Sequence, residues 1–290
     1  MSASAENAVE NRGQLFVVAT PIGNLQDFTM RAIEVLQSVD IIAAEDTRHS
    51  RKLFTNYGIK TPCVSLHEHN EREQLHKLGE RLRQGQRVAL ISDAGTPLIS
   101  DPGYQLVKHC LQIGVRVVPI PGPSALIAAL SAAGLASDRF CFEGFAPAKS
   151  AARLQSLALR RHETATLIYY LSPHRWRDTL SDMIQVFGAE RSAVLAREIT
   201  KLHEIFHQDT LGGLLQWMDT HAEQQKGEMV LLLAGAVDSI DPDLDQRSRE
   251  WLSLLLKELP PSRAAAVLAE MLGVKKKVLY QLALSIQNAE

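Results

Sequence analysis

The chain has 290 residues, of which 46% are apolar and 22% charged, so it can bury a sizeable core and is long enough for two domains. Its net charge of −2 excludes a globally positive surface, so a nucleic-acid partner would have to be met by local basic patches. Its three cysteines lack the spacing of a disulfide framework or a zinc site, and no stretch is apolar enough to predict a membrane span. We therefore expect a cytoplasmic protein without a bound metal.

The first half of the chain has the pattern of a parallel sheet. Residues 1–13 are predicted to be a disordered start. From residue 14, segments of helical period separate five short apolar runs rich in β-branched residues, LFVVA, IIAAE, CVSL, RVALI and VRVVPI. Short apolar strands that alternate with helices are typical of a Rossmann-like parallel sheet covered on both faces. We therefore predict an N-terminal α/β domain over residues 14–121.

The pattern changes after the segment PIPGPSA, and residues 122–237 are predicted to form a second α/β domain. Two of its predicted strands, SAVLAREI and HEIFHQ, have no helix between them, which indicates a hairpin and hence a mixed sheet. The polar segment DSIDPDLDQ then leads to a helical extension over residues 245–290. Its helix, Gly-containing turn and second helix with basic residues predict a helix-turn-helix that could bind RNA.

Three Gly/Pro-rich loops follow strands of the predicted parallel sheet. They are TPIGNL (20–25), SDAGTPLISDPG (92–103) and PIPGPSA (119–125). Loops at the carboxyl ends of parallel strands share one edge of the sheet, where such folds bind ligands, so we predict one ligand for all three. Within the second loop, Asp93 or Asp101 could cap a helix or accept a hydrogen bond from a ribose hydroxyl. The chain contains neither GxGxxG nor GxxxxGK[ST], which disfavours an NAD or P-loop site.

Seven motifs in one order carry a family resemblance. The motifs are TPIGNL, AAEDTRHS, SDAGTPLISDPG, PGPSA, YYLSPHR, LAREITK and KGEMVLL. In this order they resemble the tetrapyrrole methylase superfamily, the class III S-adenosylmethionine-dependent methyltransferases, over about residues 14–288. The chain is most similar to members that methylate the ribose 2′-oxygen of a cytidine in 16S ribosomal RNA. The resemblance implies a cofactor cleft between the two α/β domains, the small ribosomal subunit as partner, and a homodimer.

The resemblance also implies cofactor-binding residues. The first loop would contribute Pro21, the second Ser92, Asp93 and Ala94, the interdomain turn Ser124 and Ala125, and the second domain Leu171 and Ile199. The composition of the loops adds Gly23, Asn24 and Gly95 as cofactor-binding residues. Porphyrinogen and precorrin methylases carry a sequence closer to GxGDP where this chain has SDAGTP, which leaves the role of Asp93 open.

Methylation of a ribose hydroxyl needs a proton acceptor, or a cation that stabilises the developing alkoxide. In AEDTRHS, Asp46 could accept the proton and Arg48 could hold a phosphate or the alkoxide, although Asp46 or Thr47 could instead cap a helix. Glu198 and Lys201 lie close to Ile199 in the sequence, in the part of the second domain that is predicted to line the cofactor cleft. They could take part in catalysis or form an ion pair between the domains.

Several other patterns leave alternatives open. The segment HEHN (67–70) favours an RNA-facing loop or a helix cap by Asn70 over a metal site. Basic segments at 48–52, 149–161 and 275–277 could contact RNA phosphates or could be solvated helix faces. Two other functions compete with rRNA methylation: methylation of a tetrapyrrole ring carbon, and a non-catalytic nucleotide- or RNA-binding assembly factor. The basic C-terminal extension favours the functions that involve RNA.

Overall fold

The computed structural model describes residues 13–67, 70–236, 242–272 and 276–287. One compact unit extends to Gly235 and a second begins at Ala236. The first unit contains two five-stranded sheets, each of which forms the centre of a lobe. This architecture confirms the predicted α/β class, with a parallel sheet, a mixed sheet and C-terminal helices. Of the predicted disordered start, residues 1–12 lie outside the described residues, whereas Gly13 is buried and its N–H donates to the carbonyl of Leu82.

The first lobe alternates strands and helices in the predicted order. Its sheet has the strand order β3-β2-β4-β1-β5, and every pairing is parallel. Because β1 lies between β4 and β5, the loops that follow these three strands leave the sheet side by side. The elements are β1 (Gln14–Val18), α1 (Met30–Ser38), β2 (Ile41–Ala44), α2 (Thr47–Tyr57), β3 (Cys63–Ser65), α3 (Glu71–Arg83), β4 (Arg87–Ile91), α4 (Tyr104–Gln112) and β5 (Arg116–Ile120), with a short 3-10 helix at Leu25–Asp27.

Both faces of this sheet are buried, as the continuous apolar strands predict. In β4, Val88 and Leu90 pack into the apolar cluster on one face, and Ala89 and Ile91 pack into the cluster on the other. Successive side chains of a strand point to opposite faces, so in a strand that is buried on both faces every side chain packs into an apolar core. Every residue that could bind a ligand is therefore displaced to the loops at the strand ends.

The second lobe has a mixed sheet with the strand order β6-β7-β10-β8-β9. β6 and β7 are parallel, the remaining pairs are antiparallel, and β8 and β9 form the predicted hairpin. Its elements are α5 (Ala125–Ala132), β6 (Phe140–Phe145), α6 (Ser150–Ala158), β7 (Thr166–Leu171), α7 (Trp176–Phe187), β8 (Ser192–Arg197), β9 (Ile205–Thr210), α8 (Leu211–Thr220) and β10 (Met229–Leu233), with a 3-10 helix at Ala222–Gln225. The predicted boundary between residues 121 and 122 falls in the turn between β5 and α5, and the division into domains there stays a prediction.

The second unit contains three helices, α9 (Pro242–Leu256), α10 (Pro261–Leu272) and α11 (Lys276–Gln287). Leucines and alanines from all three helices form its apolar core, and the small alanines allow the helices to approach closely. The first of these helices begins at Pro242, and a proline is well tolerated in the first turn of a helix. The predicted extent of the extension, residues 245–290, stays a prediction. Within the described ranges, no helix is long and apolar enough to cross a membrane.

A buried ion pair joins α6 to α7 in the second lobe. Arg153 is only 3% exposed, and its Nη2 lies 2.7 Å from Oδ2 of Asp182. Its Nη1 donates to the carbonyls of Pro147 and Ala148, each at 3.1 Å. This arginine lies in the basic segment 149–161 that was a candidate for RNA contact. It instead satisfies acceptors inside the protein.

We expect Arg153→Ala to lower the free energy of unfolding by about 3 to 5 kcal/mol, because the substitution leaves the largely buried Asp182 carboxylate without its cation and two loop carbonyls without their donor. Urea unfolding followed by tryptophan fluorescence would measure the change. The matched control is Arg161→Ala, which removes an exposed arginine just beyond the same helix and should change stability by less than about 0.5 kcal/mol. Equal stability of the two variants would contradict the structural role of the ion pair.

Candidate functional site

A cavity of about 590 Å³ lies where the two lobes of the first unit meet. The loops after β1, β4 and β5 contribute to its lining, and the second lobe contributes β7, the start of β10 and the segments beside them. The lining is mostly apolar, with a few hydroxyl and carboxylate groups, which is the composition of a small-molecule site. Its residues are Ile22, Ala94, Gly95, Thr96, Ile99, Ser100, Asp101, Ser124, Ala125, Phe145, Tyr170, Leu171, Ser172, Pro173, Ile199, Gly227, Glu228, Met229 and Val230.

Hydrogen bonds between loops form one side of this cavity. Thr20 and Gly95 exchange two backbone hydrogen bonds, with N···O distances of 2.8 Å and 3.0 Å. The hydroxyl of Thr20 also donates to the carbonyl of Ser92 at 3.3 Å, and the hydroxyl of Thr96 donates to the carbonyl of Pro123 at 3.0 Å. Gly95 has φ +84°, a conformation that favours glycine. The three predicted loops therefore meet at one place.

Six of the eleven predicted cofactor-binding residues line the cavity, and five do not. Ala94, Gly95, Ser124, Ala125, Leu171 and Ile199 are in the lining, whereas Pro21, Gly23, Asn24, Ser92 and Asp93 are not. The amide oxygen of Asn24 accepts the N–H of Gln26 at 3.0 Å, so Asn24 caps the short 3-10 helix. The assignment of all eleven residues to cofactor binding stays a prediction.

Ser92 and Asp93 lie behind the lining and order the loop. Ser92 is buried, and its hydroxyl donates to the carbonyl of Ala94 at 3.4 Å. Oδ1 of Asp93 accepts the N–H of Asp46 at 3.1 Å, while the N–H of Asp93 donates to Oε2 of Glu45 at 3.4 Å. The loops after β2 and β4 are thus joined through their acidic residues.

Asp46 and Arg48, two of the predicted catalytic residues, lie at the start of α2 and outside the lining. Oδ1 of Asp46 accepts the N–H of Arg48 at 2.7 Å, which is the helix-cap alternative that the sequence left open. This hydrogen bond, helped by the Arg48 side chain, holds the pKa of Asp46 below its usual value. The Arg48 side chain is 85% exposed. Their catalytic roles stay predictions.

Glu198 and Lys201, the other predicted catalytic residues, form a triad with Glu228. Nζ of Lys201 lies 2.9 Å from Oε1 of Glu198 and 2.8 Å from Oε2 of Glu228. Burial opposes the charge of Glu198, but hydrogen bonds from the Glu228 N–H and from Lys201 outweigh it and lower its pKa. All three residues belong to the second lobe, so this ion pairing does not join the two domains. Lys201 contacts the first lobe through Gly23, where an added Cβ would lie 2.6 Å from Cγ of Lys201.

Asp101 is the lining residue whose pKa is strongly shifted by its surroundings, and it was not among the predicted catalytic residues. Asp101 follows Leu98 and Ser100, two non-glycine residues with φ values of 74° and 68°. Burial raises the pKa of Asp101 to about 6, and the charges of Glu45 and Asp93 add to this effect. A hydrogen bond with the Ser92 side chain partly offsets the shift. The sequence identified Asp101 only as a capping or hydroxyl-binding residue, because its burial is not visible there.

Tyr170 is a second lining residue that the sequence did not single out. Its ring packs edge to face against Phe142 and Phe145, with centroid distances of 4.9 Å and 5.5 Å. Burial raises the pKa of Tyr170, and the negative charge of Asp101 raises it further. The motif YYLSPHR pointed to this strand, but only the pleat of β7 shows that Tyr170 faces the cavity while Tyr169 packs into the core.

The segment HEHN is described only at its ends. Oδ1 of Asn70 accepts the N–H of His67 at 2.9 Å, and Nδ2 of Asn70 donates to the carbonyl of Ser65 at 3.0 Å. Asn70 occupies the N-cap position of α3, but its side chain makes these loop contacts and no cap hydrogen bond. The RNA-facing loop, the other alternative, stays a prediction. Residues 68 and 69 lie outside the described residues. Among the residues that the structure describes, no group of three or more His, Cys, Asp or Glu residues could hold a metal ion.

Comparison with known proteins identifies the class to which this fold belongs. Residues 14–215 match the family of Tetrapyrrole (Corrin/Porphyrin) Methylases, and residues 242–287 match the RsmI C-terminal HTH domain. The structure also resembles the Uroporphyrin-III C-methyl transferase of Thermus thermophilus complexed with S-adenyl homocysteine, at a TM-score of 0.53 and 18% identity. That similarity covers 76% of this chain and 97% of the other, and it supports the fold.

Sequence relatives are far more similar. The Ribosomal RNA small subunit methyltransferase I of Pasteurella multocida is 53% identical over 95% of this chain and 98% of its own. The protein of the same name from Escherichia coli O157:H7 is 51% identical over 98% of this chain and 99% of its own. The chain therefore belongs to the tetrapyrrole methylase family and, within it, to the group of relatives named ribosomal RNA small subunit methyltransferase I.

The raised pKa of Asp101 predicts a pH-dependent stability. Because its folded-state pKa of about 6 lies above the usual value of 3.8, the folded state binds the proton more tightly than the unfolded state. The contribution of Asp101 to stability should therefore be lost as the pH rises from about 4 through 6. Over this range we expect wild type to lose about 1 to 2 kcal/mol relative to Asp101→Asn, less than the full shift implies because the side chain is partly exposed.

Urea unfolding at several pH values would measure this difference. Asp138→Asn, which removes an exposed aspartate before β6, is the matched control and should follow the pH dependence of wild type. A constant difference between Asp101→Asn and wild type across this pH range would show that Asp101 titrates as it does in the unfolded chain.

Proposed function

We propose that this protein transfers a methyl group from S-adenosylmethionine to the ribose 2′-hydroxyl of a cytidine in 16S ribosomal RNA, within the small ribosomal subunit. The observation that carries the proposal is a cavity at which three joined strand-end loops meet the second lobe, in a chain about half identical to small-subunit rRNA methyltransferases. The cavity volume falls within the range of about 300 to 1,000 Å³ that is usual for small-molecule sites.

The lining suits S-adenosylmethionine in shape and charge. The absence of a Cβ at Gly95 leaves room beside Ile22, whose Cγ2 would lie 3.4 Å from an added Cβ, so the backbone there can approach a ligand closely. Leu171 and Ile199 provide apolar walls. The carboxylates of Asp101 and Glu228 favour a ligand that carries positive charge. When bound, the cofactor supplies a methyl group activated by its attachment to a sulfonium sulfur.

The contribution of the protein to this reaction is largely one of positioning. Methyl transfer needs the attacking oxygen in line with the bond that breaks, and a correct orientation can supply much of the rate enhancement. The small residues of the loops can bring the cofactor against the backbone, and the apolar side chains of the second lobe exclude water. The wall of the cavity toward Asp101 and Tyr170 contains the polar groups that could orient a ribose.

The exposed basic face of α2 is the surface that we assign to RNA phosphates. Arg48, Arg51 and Lys52 are exposed at positions i, i+3 and i+4, and so lie on one side of a helix that contains no acidic residue. In the competing segment 149–161, Arg153 is buried against Asp182, and Arg160 pairs with Glu143 at 2.7 Å. The basic charge of α2 is therefore more available for phosphate contacts.

The second unit favours an RNA substrate over a tetrapyrrole, because residues 242–287 match a helix-turn-helix domain. Its helix α11 begins with the exposed Lys276 and Lys277, while Lys275 lies outside the described residues. We also propose, from the family resemblance, that the protein is a homodimer and acts in the cytoplasm. The non-catalytic alternative is distinguished by the transfer assay below.

The purified protein should transfer labelled methyl from S-adenosylmethionine to small subunits isolated from cells that lack this gene, and mapping should locate the label on one cytidine ribose. We expect Gly95→Val to weaken cofactor binding more than tenfold in calorimetric titration and to abolish transfer, because the added side chain occupies space in the cavity lining beside Ile22 and valine disfavours a φ of +84°. Wild-type binding of the cofactor without methyl transfer would favour the assembly-factor alternative.

Gly58→Val is the matched control for Gly95→Val. Gly58 also has a positive φ, +63°, but an added Cβ there has no neighbour within 4 Å and lies far along α2 from the cavity lining. The control therefore has a comparable backbone strain without a side chain added to the cavity lining. It should keep wild-type cofactor affinity. Equal loss of affinity in both variants would mean that backbone strain alone explains the result.

The double variant Arg51→Ala/Lys52→Ala should bind small subunits about tenfold more weakly and with a shallower salt dependence, because each lost phosphate contact reduces the salt slope by about one. Its affinity for S-adenosylmethionine should be unchanged. Filter binding across a salt series would measure both effects. The double variant Lys149→Ala/Arg161→Ala removes the same charge from the competing segment and should behave as wild type. The reverse result would assign RNA binding to that segment.

A further inference from the structure

Phe145, at the end of β6, presents an exposed aromatic ring to the cavity. The residue is 53% exposed, although folded proteins usually bury a phenylalanine. Among the described residues, it is the exposed large apolar side chain that belongs to the cavity lining, whereas Leu171 and Ile199 of the same lining are buried. Its ring is therefore a large apolar surface that a ligand can still cover.

A β-bulge turns this ring toward the cavity. The register of β6 against β7 is Phe142 with Ile168, then Gly144 with Tyr169 and Phe145 with Tyr170. Glu143 is thus an extra residue in β6, and it shifts the alternation of side chains by one position. In a regular strand, residues three apart point to opposite faces of the sheet. Because of the bulge, Phe142 and Phe145 instead lie on the same face, together with Tyr170.

Local contacts hold the bulge and the ring in place. Oε1 of the partly buried Glu143 accepts from Nε of Arg160 at 2.7 Å. Gly144 has φ +64°, a conformation that glycine adopts without strain. Tyr170 packs edge to face against Phe145, with ring centroids 5.5 Å apart and an interplanar angle of 64°. Since β-bulges often redirect a side chain beside a functional site, the orientation of Phe145 points to a ligand contact.

The position of Phe145 indicates which part of the ligands it meets. Its contact with Tyr170 places it on the side of the cavity to which we assign the ribose. The predicted cofactor-binding residues come from other segments, and none belongs to β6. Because Phe145 lines the cavity and is still exposed, it lies at the opening, where a nucleotide of an RNA has to enter.

A nucleotide that enters such a cavity has left its stack in the RNA. Its base has then lost the contact between its flat faces and the neighbouring bases, and aromatic side chains commonly replace this contact. A phenylalanine ring has no hydrogen-bonding group, so it cannot read the edge of a base. Stacking is therefore the interaction that Phe145 can supply.

We infer that the ring of Phe145 stacks against the cytosine base of the target nucleotide and thereby holds its ribose toward the methyl donor. This inference rests on the function proposed above, because it concerns the substrate of that reaction. Stacking tolerates every base, so the recognition of cytosine falls to other groups. Phosphate contacts elsewhere supply most of the affinity for RNA. The loss of the ring therefore slows methyl transfer without weakening the binding of the subunit.

The neighbouring aromatic residues are less suited to this role. Tyr170 lines the cavity, but its ring packs against both Phe142 and Phe145 and is partly buried. Phe142 packs against the apolar cluster that contains Ile168, and it is outside the lining. Phe140, at the other end of β6, is exposed but also outside the lining. Phe145 is thus the ring that combines exposure with access to the cavity.

Phe145→Leu tests the inference, because leucine is apolar but has no flat face that can stack on a base. We expect the maximal single-turnover rate of methylation of small subunits to fall about 5- to 150-fold, the usual cost of losing one aromatic stacking partner. Phe145→Tyr keeps the flat ring and should keep the wild-type rate. Cofactor affinity by calorimetry should match wild type in both variants.

Three further measurements separate stacking from other roles. Filter binding of small subunits across a salt series should give the wild-type affinity and salt slope in Phe145→Leu, because an uncharged ring releases no counterions. Light scattering should give the wild-type mass in solution. Phe140→Leu is the matched control, since it makes the same change on the same strand at a residue that is 40% exposed and outside the lining. It should methylate at the wild-type rate.

A slow Phe145→Leu beside a normal Phe145→Tyr, with affinities and mass unchanged, would support the inference. A wild-type rate in Phe145→Leu, or an equally slow rate in Phe145→Tyr or Phe140→Leu, would overturn it and leave the proposed function intact. A weaker affinity for the cofactor would also overturn it, since the ring would then contact the cofactor. A changed mass would assign the ring to an interface between copies and overturn it as well. If wild type itself left the subunits unmethylated, the proposed function would fail, and this inference would fail with it.

Discussion

The backbone bridge between Thr20 and Gly95 is the contact on which the cavity depends. It joins the loops that follow two neighbouring strands, β1 and β4, and so fixes the side of the cavity that these loops form. Each hydrogen bond contributes only about 0.5 to 1.5 kcal/mol to stability, but Thr20 is 2% exposed, so breaking the bridge would leave buried polar groups without partners. Gly95 is therefore held in place mainly because the loss of its hydrogen bonds to Thr20 would leave buried polar groups unsatisfied. The stability gained from forming these bonds is the smaller effect.

The same loop connects the two lobes by packing. Ile22 belongs to an apolar cluster with Ile168, Val194 and Ile199, all of which come from the second lobe. Gly23, the next residue, lies against Lys201, which bridges Glu198 and Glu228. A side chain of the first lobe thus completes the core of the second. The cavity has one wall from each lobe, and this shared packing holds both walls at a fixed distance.

The sequence predicts most of the fold, and six of the residues that it predicts to bind the cofactor are in the cavity lining. Strand-length apolar runs such as RVALI, separated by helices, indicate a parallel sheet that is buried on both faces. In such a sheet the loops that follow the strands meet at one edge. Contacts across long sequence separations are not visible in this way. The pairing of Lys201 with Glu228 arises only when the strands of the second sheet come together, and the proximity of Asp101 to Glu45 arises only when those of the first sheet do. Asp46 illustrates the limit, since one pattern fits both a helix cap and a proton acceptor.

The size of the cavity constrains how an RNA could be recognised. A space of about 590 Å³ suits a small molecule and a single nucleoside, and it cannot admit a duplex. An RNA substrate must therefore present its target nucleotide unstacked, and enzymes that act on one nucleotide usually meet it in a loop or flip it out of the stack. The energy for that unstacking has to come from contacts outside the cavity. The exposed arginines and lysine of α2 come shortly after Asp46, whose backbone N–H donates to Asp93 in the loop after β4. Phosphates bound by α2 would therefore lie beside a loop that also lines the cavity.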